Sequence, residues 1–132
     1  MDTLRNKIKS YNRKLKFLPG QLLSEKNYLP GSILLIESGV ARLLYKKKGK
    51  ISTLQFIKSG EIIGAASILR GIPCEEVRAA EEIVAWSITD IEFKQALKND
   101  KEIEKECSSC LWPAELLEII IILERKTPQI SL

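Results

Sequence analysis

Leu34-Leu35-Ile36-Glu37-Ser38-Gly39-Val40-Ala41-Arg42-Leu43 is the stretch on which the reading of the fold turns. An apolar run from Ile33 to Ile36 stops at a charged residue and a glycine, and a second run, Val40 to Tyr45, begins directly after Gly39. Apolar runs of roughly four to eight residues bounded by turn residues read as strands. Upstream, Pro19-Gly20 marks a turn before Gln21 to Ser24, and Pro30-Gly31 marks another before Ile33. Downstream, Lys46-Lys47-Lys48-Gly49-Lys50 turns the chain as a charged, soluble hairpin tip. Ile51, Thr53, Gln55 and Ile57 then alternate with Ser52, Leu54 and Phe56 in a segment rich in β formers. Because that alternation is imperfect, it predicts a strand buried on both faces or set at the corner of a rolled sheet.

Gly60 and Gly64 bracket Glu61-Ile62-Ile63, and a short apolar segment, Ala65 to Leu69, leads to the turn Arg70-Gly71-Ile72-Pro73, where glycine permits close backbone approach. Two further strands are expected at Cys74 to Ala80 and Ile83 to Ile88, separated by Glu81-Glu82. Leu15 to Ile88 therefore reads as a compact all-β body with helices at its ends. Thr89 followed three residues later by Glu92 has capping-box spacing and predicts a helix from Asp90 to about Leu97. Trp112-Pro113-Ala114-Glu115 opens another, on which Leu116, Leu117, Ile120, Ile121 and Leu123 share a face away from Glu118 and Glu124. That stripe is expected to pack on the domain's own β body or to present a docking face to a partner or a second copy. Lys126-Thr127-Pro128 ends the helix. Three parts are expected: a basic leader or helix over 1–14, a β-roll over 15–97 and a helical segment over 98–132.

A chain of 132 residues, 45% hydrophobic and 29% charged, has the balance of one globular domain. The run from Leu116 to Leu123 is interrupted by Glu118 and falls short of the roughly 20 residues a bilayer needs, so no direct membrane insertion is expected. No apolar run follows Arg5, Lys7 and Lys9, so the signal-peptide pattern is missing and a cytoplasmic location is expected. The net charge of +4 is concentrated in Arg5, Lys7, Lys9, Arg13, Lys14 and Lys16, while the remainder is nearly neutral. That distribution predicts a solvated leader and no nucleic-acid partner. The three cysteines suit thiols in a reducing compartment. Cys107 and Cys110 form a Cys-x-x-Cys pair, but zinc would need two more ligands, and with no histidine in the chain only Cys74 or carboxylates remain, so no metal is expected. The sequence also lacks a Gly-x-x-x-x-Gly-Lys-[Ser/Thr] loop and a nucleophile-elbow serine, so an enzyme is not expected.

Taken in order, Phe17-Leu18-Pro19-Gly20, Leu34 to Leu43, Gly60-Glu61-Ile62-Ile63-Gly64 and Ile83 to Phe93 resemble the cyclic-nucleotide-binding domain shared by the catabolite activator protein and the regulatory subunits of cyclic-AMP-dependent kinase. The resemblance spans about residues 15–97. It implies a mainly β fold, a double-stranded β-helix or jelly-roll-like β-roll with flanking α-helices. More narrowly, Ala66-Ser67-Ile68-Leu69-Arg70-Gly71-Ile72-Pro73-Cys74-Glu75, with Leu29-Pro30 upstream, resembles the N-terminal domain of cyanobacterial peptidase-containing ATP-binding-cassette exporters of peptides or toxins. That likeness implies an N-terminal module of a longer exporter. Its end shortly after Pro128 would then be a boundary within the parent, and its station the cytoplasmic face of the inner membrane. Its partners would be the other domains of that parent or a second copy of itself.

In members that bind cyclic nucleotides, a glycine-led turn offers backbone N–H groups, the next residue is a glutamate that accepts from the ribose hydroxyl, and an arginine further on pairs the phosphate. On that pattern Gly64 matches the glycine, Ala65 stands where the glutamate belongs, and Cys74, after Pro73, stands where the arginine belongs. The expected pocket, Ile63, Gly64, Ala65, Ala66, Ser67, Cys74, Glu75 and Glu76, is thus degenerate. A buried anion without its cation costs on the order of 3 to 5 kcal/mol, and Glu75 and Glu76 add repulsion. Arg70 and Arg78 are the candidate substitute cations; Arg78 shares strand parity with Cys74 if no bulge intervenes.

The expectation is a non-catalytic regulatory or docking module without a cofactor. The alternative is a genuine cyclic-AMP or cyclic-GMP sensor using atypical contacts. A transcription factor of the catabolite-activator type is not expected, because too few residues follow Phe93 for a dimer helix, helix-turn-helix and wing.

Overall fold

A computed structural model describes residues 1–126, except for the side chains of residues 116–118, 121 and 124–126. Helix α1 (Asp2–Ser10) precedes β1 (Lys14–Phe17), β2 (Leu22–Ser24), β3 (Ser32–Ser38), β4 (Ala41–Lys47), β5 (Lys50–Ile57) and β6 (Ile62–Ile63). Helix α2 (Ala65–Arg70), β7 (Glu76–Ala79), β8 (Ile83–Thr89), α3 (Asp90–Asn99), α4 (Lys101–Ser109) and α5 (Pro113–Lys126) follow. The strands form two antiparallel sheets in the orders β1-β8-β3-β6 and β2-β7-β4-β5. This is the expected mainly β roll with flanking helices.

The apolar run in β3 is continuous because both of its faces are covered. Leu34 and Ile36 join Leu43, Ile57, Ile63, Val77 and Ile83 in a core between the sheets, whereas Ile33 and Leu35 join Phe93, Ile103, Leu4 and Ile8 under the helices. Gly39 turns β3 into β4 with φ +92°, and a Cβ there would lie 2.2 Å from the Glu82 carbonyl oxygen, so the close approach demands glycine. Lys48 and Gly49, both with positive φ, make the tight turn between β4 and β5.

Two expectations change. Instead of being buried on both faces, β5 is an edge strand with Ile51 and Phe56 exposed, and its pairing with β4 shifts register between Leu43 and Leu44. The bulge is why its alternation falters. Nor is the N-terminus a solvated leader. Leu4 and Ile8, one helical turn apart, are fully buried, and Glu106 of α4 accepts from the Thr3 and Leu4 amides, both at 3.0 Å. A short amphipathic face outweighs the surrounding lysines because only that face needs cover.

The Thr89–Glu92 capping box is present in full, and α3 extends two residues beyond Leu97 to Asn99. Asp100 then caps α4, accepting from the Glu102 and Ile103 amides. On α5, Ile120 is half-buried, while Leu123 is 58% exposed and Ile119 and Ile122 are exposed as well. Leu116, Leu117 and Ile121 of the expected stripe lie outside the described side chains.

Candidate functional site

The site is built where β6 ends against β3, with Ile62 and Ile63 paired to Leu35 and Leu34. Gly64 leaves the strand with φ +96° and starts α2; a Cβ there would lie 3.0 Å from the Ser32 carbonyl oxygen. Helix α2 ends at Gly71, again left-handed, and the chain doubles back through Ile72 and Pro73. Two contacts fasten that return. The Cys74 amide donates to the Ser67 hydroxyl at 3.1 Å, with the Cys74 sulfur 3.3 Å away, and the Gly64 amide donates to Glu75 Oε1 at 2.7 Å.

Of the residues singled out in the sequence, these contacts join Gly64 to Glu75 and Ser67 to Cys74. Ile63, Ala65, Ala66 and Ser67 are each 2% exposed or less and Glu75 only 5%, while Cys74 and Glu76 are half-buried. Glu75 is named by the sequence among the pocket residues and as a source of repulsion, but its bond to the Gly64 amide is not foreseen there. Its carboxyl group holds the amide that opens α2. Burial pushes its pKa up to about 7, against the lowering effect of the Gly64 hydrogen bond. One signal was available in Glu75-Glu76-Val77-Arg78-Ala79: Glu75 has the parity of Val77 and Ala79, the inward residues of β7.

Neither candidate cation reaches this point. Arg70 is exposed at the end of α2. Arg78 lies on the outer face of β7, where Nη1 donates to the Gly20 carbonyl at 3.0 Å and Nε is 4.0 Å from Glu76. Cys74, like Glu75, precedes the first residue of β7, Glu76. Chemically, the cassette offers a buried carboxyl, a hydroxyl and a thiol, with its leading amide donor already engaged.

The other cysteines sit apart from it. Cys107 is buried in α4, Cys110 is half-buried beyond its end, and neither forms a disulfide. Burial raises both thiols, Cys107 to about 11, which favours the protonated thiol over the thiolate. Among the described residues no cluster of three acidic or cysteine side chains is arranged to hold a metal, and no helix is long and apolar enough to cross a membrane.

Residues 14–100 match the family described as the cyclic nucleotide-binding domain. No curated protein matches the chain. Among solved structures, the Thermus thermophilus catabolite activator protein is similar at TM-score 0.71 and 18% identity, over 94% of this chain and 58% of that one. A mutant regulatory subunit of a cAMP-independent protein kinase A from Trypanosoma brucei, bound to cAMP in its A site, is similar at TM-score 0.67 and 15% identity, over 83% of this chain and 40% of that one. A mutant cAMP-binding acyltransferase from Mycobacterium smegmatis is similar at TM-score 0.57 and 32% identity, over 67% of this chain and 28% of that one. The chain thus spans less than two thirds of each of these proteins. With the roll, the glycine-led turn and the returning loop all in place, and residues 14–100 matched to the family, this chain belongs to the cyclic nucleotide-binding domain family.

Proposed function

We propose that the chain is a non-catalytic regulatory or docking module whose cassette is closed to cyclic nucleotide by its own glutamate. The observation that carries this reading is the 2.7 Å bond from the Gly64 amide to a Glu75 carboxyl that is 5% exposed. An incoming cyclic phosphate would meet that carboxyl where a cation is required, with alanine at position 65 and cysteine at position 74 in place of the usual acceptor and arginine. Leaving a buried phosphate without its cation costs about 3 to 5 kcal/mol, which removes micromolar affinity. Calorimetric titration with cyclic AMP and cyclic GMP tests the reading: no saturable heat is expected to millimolar ligand, and micromolar binding of either refutes it.

The module's place is the N-terminus of an ATP-binding-cassette exporter in the cytoplasm. Support comes from the likeness of Ala66 to Glu75 and of Leu29-Pro30 to that family's N-terminal domain. Its contacts are other domains of that parent or a second copy, and the exposed Ile119, Ile122 and Leu123 of α5 suit such contacts. The coding sequence downstream of Leu132 tests the parentage: a peptidase and transporter region supports it, and a stop codon or a DNA-binding region refutes it.

A further inference from the structure

We infer that Glu75 is a proton-operated latch: protonated, it holds the loop from Gly71 to Glu75 closed on the start of α2, and ionised, it leaves its buried place and lets that loop open. The inference rests on the reading above, in which this carboxyl fills the cassette, and adds what releases it.

The geometry supplies a hinge, a tether and a group that titrates. The hinge is Gly71, left-handed at φ +73°, with open space within 4 Å of where a Cβ would stand. The next residue, Ile72, is half-exposed, so nothing in the core anchors the tip of the loop. The tether consists of the Ser67–Cys74 contacts and the Gly64–Glu75 bond; Ser24 of β2 adds a longer contact, 3.4 Å, to the Glu75 carbonyl oxygen. Of these tethers, the Glu75 carboxyl is the one whose charge changes near neutral pH.

The surroundings make ionisation costly in place. Around Glu75 the structure brings the Gly64 amide, Ser67 of α2 and Ser24 of β2, with Glu76 next in the chain and turned toward Arg78. Burial and the Gly64 amide alone move its titration to about 7; none of the charges on Glu25, Arg70, Glu76 or Arg78 contributes. A single amide donor is a weak substitute for the water that a carboxylate loses on burial. The sign follows. The closed state holds the proton more tightly than the open one, whose glutamate titrates near 4.5. Closure is therefore complete below that range, weakens as the pH rises toward 7, and does not weaken further beyond it. With those two values the open population rises on the order of 50-fold between pH 5 and pH 8.

The test is amide NMR and hydrogen exchange on the whole chain from pH 5 to 9, comparing wild type with Glu75→Gln and with Glu76→Gln. We expect the Gly64 amide shift and a Glu side-chain carboxyl carbon of the wild type to titrate together near pH 7. Exchange of the Gly64 and Cys74 amides at pH 8 should be at least tenfold slower in Glu75→Gln than in wild type, with Glu76→Gln behaving as wild type. A Gly64 shift with its midpoint near 4.5, or equal exchange in Glu75→Gln and wild type at pH 8, overturns the latch. The wild-type carboxyl titration decides the matter even if a variant fails to fold. Micromolar nucleotide binding by the wild type would instead overturn the proposed function and leave this titration standing.

Discussion

Replacing Glu75 by glutamine keeps the shape of the side chain and an oxygen to accept from Gly64, but removes the ionisation. In the wild type the folded state raises this pKa from 4.5 to about 7. Each unit is worth roughly 1.4 kcal/mol, so the folded state with the loop closed loses about 3 kcal/mol relative to the unfolded chain once the pH exceeds 7, and almost nothing below 4.5. The variant is thus expected to match the wild type within about 1 kcal/mol at pH 5 and to exceed it by about 2 to 3 kcal/mol at pH 8. Urea unfolding followed by the fluorescence of Trp86 and Trp112 reads this directly. With a slope of roughly 1 to 3 kcal/mol per molar urea, the pH 8 midpoints should separate by about 1 to 2 M. Parallel stability profiles for the two proteins would refute the assignment of a buried, strained carboxyl. A variant less stable at pH 8 would show that the ionised group is well accommodated.

Three further outcomes are expected. Leu4→Ala should destabilise the domain by about 2 to 5 kcal/mol in the same assay, whereas Lys7→Ala should change it by less than about 0.5 kcal/mol; equal small effects would return α1 to the status of a solvated leader. Gly39→Ala should cost at least about 2 kcal/mol more than Gly20→Ala, since both have positive φ but a Cβ at Gly39 collides with the Glu82 and Ile83 backbone while one at Gly20 meets nothing within 4 Å. The triple variant Ala65→Glu, Cys74→Arg, Glu75→Ala should gain saturable calorimetric binding of cyclic AMP; a folded triple variant that still binds nothing would show that the pocket is closed by more than these residues.

Much of the architecture could be read from residue order. Short apolar runs cut by Gly39, Gly49, Gly60 and Gly64 require strands and tight turns, because positive φ and backbone crowding leave few other solutions. Thr89 with Glu92 specifies a helix start through bonds that span only three residues. Ala65 after Gly64 and Cys74 after Pro73 can be read from the sequence alone, and the proposal that they stand in place of the family's glutamate and arginine starts from there.

What the sequence left open were the matters that depend on residues far apart in the chain. The lysines around Leu4 and Ile8 give a basic composition, and only the docking of α1 against α4 and β8 turns two apolar residues into core. The alternation in Ile51 to Ile57 does not distinguish an edge strand from a covered one, because that depends on which strands pair on either side. Whether Glu75 repels a ligand from the rim or occupies the cassette itself is decided by the return of the loop onto Gly64, eleven residues earlier. Local physics fixes backbone shape and helix ends; the desolvation that gives a carboxyl its unusual proton affinity is created only when distant segments close over it.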